Sequence, residues 1–194
     1  MATIDAADPS RDDGSSSRVT RGARIALVLA TLIPALALDL WTKAWAWENL
    51  RTGPGRTIVP NFFHLEFAFN TGSAFGFLRD AGWSRLFFIA ITVAALVYMG
   101  RLAMTLPTRW PSGFVAIGLI ASGALGNLHD RFVRVFMDQY GVVDFIVVYY
   151  WPGKRWPAFN IADAALVAGV LLFMIYLRRH GDPADAPVLA PPAA

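Results

Sequence analysis

The chain has 194 residues, 56% of them hydrophobic and 16% charged, with a net charge of +3. The charged share is well below the roughly 25% of soluble domains, and several apolar runs reach the ~20 residues needed to cross a bilayer, which argues against a soluble domain with its own large core. The absence of cysteine removes disulfides, thiolate metal sites and a cysteine nucleophile together, the scattered basic residues give no nucleic-acid footprint, and His64, His129 and His180 are too far apart for metal-ligand spacing.

Residues 1–23 are rich in Ser, Asp and Arg and carry no periodicity, so they read as a disordered tail. The first apolar run predicts a membrane helix over residues 24–47. Its opening, basic residues followed by Ile25–Pro34 and Ala35-Leu-Ala37, has the outline of a cleavable signal peptide. The apolar stretch continues through Trp41, Ala44 and Trp45, which favours a retained helix. Asp39 and Lys43 lie four apart on this helix and share a face. A charged pair inside a span turns to the bundle interior rather than to lipid, where it either fixes helix register or borders a functional site.

In Phe63-His-Leu-Glu-Phe-Ala-Phe69 the large apolar residues alternate with His64, Glu66 and Ala68. Period 2 predicts a strand, and Asn70-Thr-Gly72 supplies turn chemistry after it. A small sheet of this kind can lie on the outer membrane surface with its apolar face down. Further helices are predicted over residues 84–104, 112–132 and 158–177. At 1.5 Å per residue each of the four runs is roughly 26–36 Å long, enough to cross. The Pro/Ala-rich residues 181–194 form a second disordered tail. Residues 24–180 then make one all-α membrane domain: four transmembrane helices, with a small extracytoplasmic β-sheet between helices one and two.

Four spans put both termini on one side. The short connection at Leu106–Pro111 and the tight basic tail after Leu177 favour that side as cytoplasmic. Trp45, Trp47, Trp83, Trp151 and Trp156 then form an outer aromatic belt, with Trp110 at the inner interface.

The candidate functional residues are polar groups in apolar surroundings. Gly118, Ser122 and Gly126 repeat every four residues, a spacing that lets helices approach closely. It draws the face bearing Asn127, Asp130 and Arg131 deep into the bundle, where an Asp–Arg pair has a ready structural role. Asn160 and Asp163 sit three apart just after Pro157. The helix N-terminus favours an ionised Asp163 and burial the neutral form, so this residue reads as a capping charge or as an active carboxylate. Asp144 lies in Gly141-Val-Val-Asp-Phe-Ile-Val-Val148, as a loop carboxylate facing water or as a functional group. A carboxylate near hydrocarbon is costly and marks a functional candidate. Two that meet can share a proton and activate water, as in aspartic proteases. His129 and Glu66 show no partner. Ser73, in Gly72-Ser-Ala-Phe75, has no histidine or lysine placed to activate it.

Five segments occur in order: Asp39-Leu-Trp-Thr-Lys43, Asn70-Thr-Gly-Ser-Ala-Phe75, Gly123-Ala-Leu-Gly-Asn-Leu-His-Asp-Arg131, Val143-Asp-Phe-Ile146 and Phe159-Asn-Ile-Ala-Asp163. Together they resemble the lipoprotein signal peptidase family, bacterial signal peptidase II. The resemblance implies a multi-pass aspartic endopeptidase of the bacterial cytoplasmic (inner) membrane, with its active site towards the outer leaflet. Its substrate would be a lipid-modified prolipoprotein, cleaved before the diacylglyceryl-cysteine, and a globomycin-type cyclic peptide would block it. The resemblance places the catalytic dyad on Asp144 and Asp163 and makes Asn70, Asn127, Arg131 and Asn160 supporting polar residues. Asp39, Lys43 and Asp130 fall on motif positions with an expected structural role. No metal or cofactor is implied, and the partners are substrate and membrane lipids, without nucleic acid. The chain departs from the family at Ala164, where a Ser or Thr often follows the second aspartate. Two other classes remain open from the residues alone: a small proton-coupled transporter, which would show inverted repeats, and a non-enzymatic membrane scaffold.

Overall fold

The computed structural model describes residues 20–72, 83–106 and 110–180. The expectations for most of the N-terminal tail, for Ser73 to Phe75, for residues 107–109 and for the tail from 181 concern residues outside these ranges. In chain order the elements are α1 (Arg21–Asn49), β1 (Arg56–Val59), β2 (Phe63–Asn70), α2 (Ser84–Thr105), α3 (Pro111–Val133), β3 (Val135–Phe136), β4 (Gln139–Tyr140), β5 (Val142–Trp151), β6 (Lys154–Arg155) and α4 (Ile161–His180). All four helices are long and apolar enough to cross a membrane.

The helices alternate in direction. At one end Arg24 Nη1 donates to Met104 O at 3.1 Å, tying the start of α1 to the end of α2. At the same end the Trp110 ring stacks on His180, 4.1 Å between centroids, joining the start of α3 to the end of α4. Buried Leu106, Phe114, Ile117 and Tyr176 close that end. The sheet and, among the described residues, the buried charged groups Asp39, Lys43, Asp130 and Asp144 lie at the other.

The centre of the bundle is α3, and its small residues explain why. A Cβ on Gly118 would lie 2.7 Å from Val28 O of α1, and a Cβ on Gly123 would strike Ala162 O of α4. Neither neighbour could approach so closely past a larger side chain. By contrast α2 has no buried residue. Its apolar surface suits lipid.

The strand expected over 63–69 is present as β2, but its main partner comes from the second long connection. The sheet runs β1-β2-β5-β6, with β2 and β5 antiparallel. Residues 142–151 therefore form a long strand and not a loop. Its first four residues are buried, and Val143 and Phe145 pack with Ala46 of α1 and with Leu50 at its C-terminal cap. The sheet edge continues past β6, since Ile146 N donates to Phe159 O at 2.8 Å and Phe159 N to Ile146 O at 3.0 Å. This extended pairing holds Ala158 and Phe159 out of the fourth helix, which starts at Ile161 and not at 158, and is described as far as His180, past the expected 177.

Trp47, expected in an aromatic belt, packs among the aromatic rings of the sheet and its neighbours. Its ring meets Phe67, Phe69 and Phe136 edge-on at 5.8–6.1 Å, with the guanidinium carbons of Arg51 and Arg134 4.5 and 5.0 Å from its centre. Glu66, which showed no partner in sequence, pairs with Arg155 at 2.8 Å across the sheet.

Candidate active site

Asp144 and Asp163 converge where β5 meets the start of α4, and Asn160 joins them. Asn160 Nδ2 donates to Asp144 Oδ1 at 2.7 Å, while Asn160 Oδ1 accepts the Asp163 backbone N–H at 2.9 Å. Asp163 Oδ2 in turn accepts the Asn160 backbone N–H at 3.2 Å. This is a capping box: each residue satisfies a helix-end donor of the other. The capping role and the site role of Asp163 are thus one arrangement, and Asn160 stands just before the helix rather than in it.

A second amide reaches each carboxylate. Asn127 Nδ2 donates to Asp163 Oδ1 at 2.8 Å, and Asn70 Nδ2 to Asp144 Oδ2 at 3.1 Å. Each of the four carboxylate oxygens therefore accepts one N–H, and each keeps a second lone-pair direction for a proton, water or substrate.

Asn70 reaches Asp144 because β2 carries an irregularity. Leu65 pairs with Ile146 but Ala68 pairs with Asp144, so three steps on β2 span two on β5. Alternation without the extra residue would leave Asn70 on the opposite face from Asp144; a one-residue bulge moves it across. Gly72 completes the turn. It has φ +94°, which favours glycine, and its N–H donates to Asn70 Oδ1 at 2.9 Å.

Asp144 is 3% exposed on β5. Burial pushes its carboxyl up from 3.8 to about 7, and the charge of Asp163 adds to the rise, against hydrogen bonds from Asn70 and Asn160 and the nearby Lys43 cation. The reading of Asp144 as a water-facing loop carboxylate therefore does not hold. Asp163 is half-buried at the lip of the site.

Beneath the pair lies a buried charged layer. Asp39 Oδ1 accepts the Ala162 N–H at 2.8 Å, which fastens α1 to the start of α4. Lys43 Nζ lies 2.8 Å from Asp39 Oδ2 and donates to Asn127 Oδ1 at 2.8 Å. Asp130 Oδ2 accepts the Val143 N–H at 3.0 Å, which holds β5 beside α3.

The expected Asp130–Arg131 pairing is not what the structure makes. Asp130 turns to Lys43 at 4.0 Å, Arg134 at 3.7 Å and His129 at 3.3 Å. Arg131 points another way, because neighbours on a helix stand about 100° apart. Its Nη1 donates to Asn127 O at 3.1 Å, and its guanidinium carbon lies 5.0 Å from the Phe88 ring centre. Arg134 was absent from the sequence reading although its i, i+4 relation to Asp130 is a recognisable signal. The Val143 N–H and the Gly72 N–H had no signal, since backbone donors are invisible until the chain is folded.

Four membrane-length helices, a sheet on one end and two carboxylates joined by asparagines define a polytopic membrane protein with a paired-aspartate site. Residues 31–179 match the family model described as signal peptidase (SPase) II. A lipoprotein signal peptidase of Syntrophotalea carbinolica is 36% identical over 159 residues, 81% of this chain and 93% of the relative. One from Pseudomonas putida is 35% identical over 169 residues, 84% and 94% of the two chains. Two solved structures, both titled as a bacterial membrane enzyme, superpose with TM-scores of 0.66 and 0.68 at 29% and 27% identity. They cover 82% and 89% of this chain, and 95% and 98% of their own. The chain belongs to the signal peptidase II family. It is a membrane-bound peptidase, a hydrolase, in a family of aspartic type, and nothing supports the transporter reading.

Proposed function

We propose that this chain removes signal peptides from lipid-modified prolipoproteins, hydrolysing the bond before the diacylglyceryl-cysteine with Asp144 and Asp163. The observation that carries the reading is the Asn160 bridge, which ties both carboxylates to one rigid helix start. A pair held in this way favours one shared proton over two full charges.

Burial makes Asp144 the protonated partner and half-buried Asp163 the base. Asp163 takes a proton from water, the hydroxyl oxygen bonds to the scissile carbonyl carbon, and Asp144 gives its proton to the carbonyl oxygen. The resulting gem-diol collapses when Asp163 returns its proton to the amide nitrogen and the C–N bond breaks. Asp144 takes a gem-diol proton at the same time, which leaves the carboxylic acid, the amine and the starting pair. Asn70, Asn127 and Asn160 orient the carboxylates, and Arg131 supplies a nearby cation. Asp39, Lys43 and Asp130 lock the helices beneath.

Residues 24–180 are the peptidase domain in this reading, and the tails at either end are dispensable. The protein sits in the bacterial inner membrane with cytoplasmic termini, and the sheet faces the outer leaflet, where peptide and acyl chains can be held together. A globomycin-type cyclic peptide would bind by placing a hydroxyl between the two aspartates.

Asp144→Asn and Asp163→Asn should each insert, fold and lose cleavage of a diacylglyceryl-modified precursor. Near wild-type turnover by either would remove that aspartate from the chemistry. The same precursor without its lipid should be cleaved poorly; equal rates would refute lipid recognition while leaving the aspartic mechanism standing.

A further inference from the structure

The three asparagines around the pair are not held alike. Each must turn its NH2 toward a carboxylate, so each needs something to hold its oxygen the other way. For Asn70 that is the Gly72 N–H, and for Asn160 the Asp163 N–H, each at 2.9 Å. These are backbone donors supplied by local turns. For Asn127 the donor is a side chain of another helix, Lys43 of α1, at 2.8 Å.

We propose that Lys43 is a positioning residue for the aspartate pair: it holds the Asn127 oxygen and thereby keeps the Asn127 NH2 on Asp163. The proposal rests on the reading of Asp144 and Asp163 as the active pair.

An ammonium has three donors and no lone pair. Facing Lys43, Asn127 can present only its oxygen, and its Nδ2 then falls on Asp163 Oδ1 at 2.8 Å. Lys43 is fully buried, so bulk water does not compete with it for the Asn127 oxygen. The other donor to Asn127 Oδ1, Asn160 Nδ2 at 3.1 Å, is divided among three acceptors and lies closest to Asp144 Oδ1. Without Lys43 the Asn127 amide is free to turn over. Asp163 would then meet an oxygen, an arrangement tolerable only when Asp163 carries the proton. Lys43 in this way favours the ionised Asp163 that the mechanism uses as base.

The competing account is that Lys43 only neutralises Asp39. The two separate because the charges can be removed together. Asp39→Asn/Lys43→Met deletes both, leaves no buried ion of that pair alone, and keeps an amide oxygen for the Ala162 N–H. Lys43 also acts on Asp144 through its charge, so the hydrogen bond is read from the comparison of the Met variant with a Gln variant of the same charge. Among the described residues, the other charged groups around the site are His129, Asp130 and Arg131 of α3, Arg134 at its C-terminal cap and Asp144 of β5, and none of them is altered.

The experiment measures cleavage of a diacylglyceryl-modified precursor across pH, with thermal unfolding in detergent confirming the fold. Asp39→Asn/Lys43→Met should lose about 10- to 100-fold in kcat, the scale of a misplaced catalytic group, with KM little changed and the acidic limb of the profile moved to higher pH. Asp39→Asn/Lys43→Gln, which returns an N–H donor without charge, should recover much of the rate and move the acidic limb back from its position in the Met variant. In an Asn127→Ala background the Asp39→Asn/Lys43→Met change should cost little further kcat, because the two act through one contact. Wild-type kcat and profile in the double variant would overturn the proposal, as would equal losses with Met and Gln or a full further loss in the Asn127→Ala background. Asp144→Asn and Asp163→Asn in the same assay keep the two readings apart, since retained activity there would refute the pair itself.

Discussion

Asn160 and Asp163 cap each other: Asn160 Oδ1 accepts the Asp163 N–H at 2.9 Å, and Asp163 Oδ2 accepts the Asn160 N–H at 3.2 Å. A side chain that begins a helix is thereby also one that orients a reactive carboxylate. Losing the cap alone should cost about 0.5–2 kcal/mol. Asn160→Ala also removes the donor to Asp144. Its thermal midpoint in detergent should therefore fall modestly, while kcat falls by roughly 100-fold or more, the scale of lost positioning. A fall in activity no larger than the loss of folded protein would reduce Asn160 to a cap.

Asp144 links stability to pH. Its carboxyl ionises near 3.8 in the unfolded chain but near 7 in the folded one, first through burial and then through the charge of Asp163. The folded state thus holds an extra proton between those values. The contribution of this group is fully present below the unfolded value and is lost as pH rises through about 7. Thermal midpoints of wild type should decline over that window more steeply than those of Asp144→Asn, which lacks the titrating group. Cleavage should fall above about 7, as the pair loses its shared proton. Parallel midpoint curves for the two proteins would show that Asp144 titrates normally.

Asp130 is the hinge of the buried charges, and Arg131 is not its partner. Removing the carboxylate in Asp130→Ala leaves the Val143 N–H without its acceptor and the Lys43 and Arg134 cations short of a counter-charge. A loss of roughly 3–5 kcal/mol is expected for breaking such a group, read as low yield and a depressed unfolding midpoint. Arg131→Ala leaves those contacts in place. Its effect should fall more on cleavage than on the midpoint, and the reverse ranking of the two variants would contradict the observed contacts.

Two glycines separate packing from propensity. A Cβ on Gly126 would strike the Asp39 carboxylate, whereas a Cβ on Gly100 meets nothing within 4 Å. Gly126→Ala should displace the Asp39–Lys43 pair and abolish most activity. Gly100→Ala should be tolerated, because alanine suits a helix better than glycine. Equal behaviour of the two in a cleavage assay on purified protein would refute the close approach of α1 to α3.

The arrangement of four apolar helices was determined by the sequence alone, because a run of about 20 apolar residues admits few structures other than a span. The strand over 63–69 was legible for a similar reason, since period 2 has one structural meaning. The polar residues that collect at one end were also visible, as costly exceptions in apolar surroundings. Tertiary structure alone decided who touches whom. The strand over Val142–Trp151 reads as a plain apolar run until β2 lies beside it, and that pairing turns Asp144 from a possible surface group into a buried one. The fourth helix begins at Ile161 because Phe159 is engaged in the sheet, a competition between strand and helix for the same backbone groups. Asp130 chooses Lys43, Arg134 and a backbone N–H over its neighbour Arg131, a matter of helix rotation and not of adjacency. Asn70 reaches Asp144 through one extra residue in a strand, and Asn127 faces Asp163 because an ammonium on another helix holds its oxygen. Hydrophobic periodicity is written in the order of residues. The direction of a hydrogen bond is set by the partner on the far side, and only the folded chain brings that partner near.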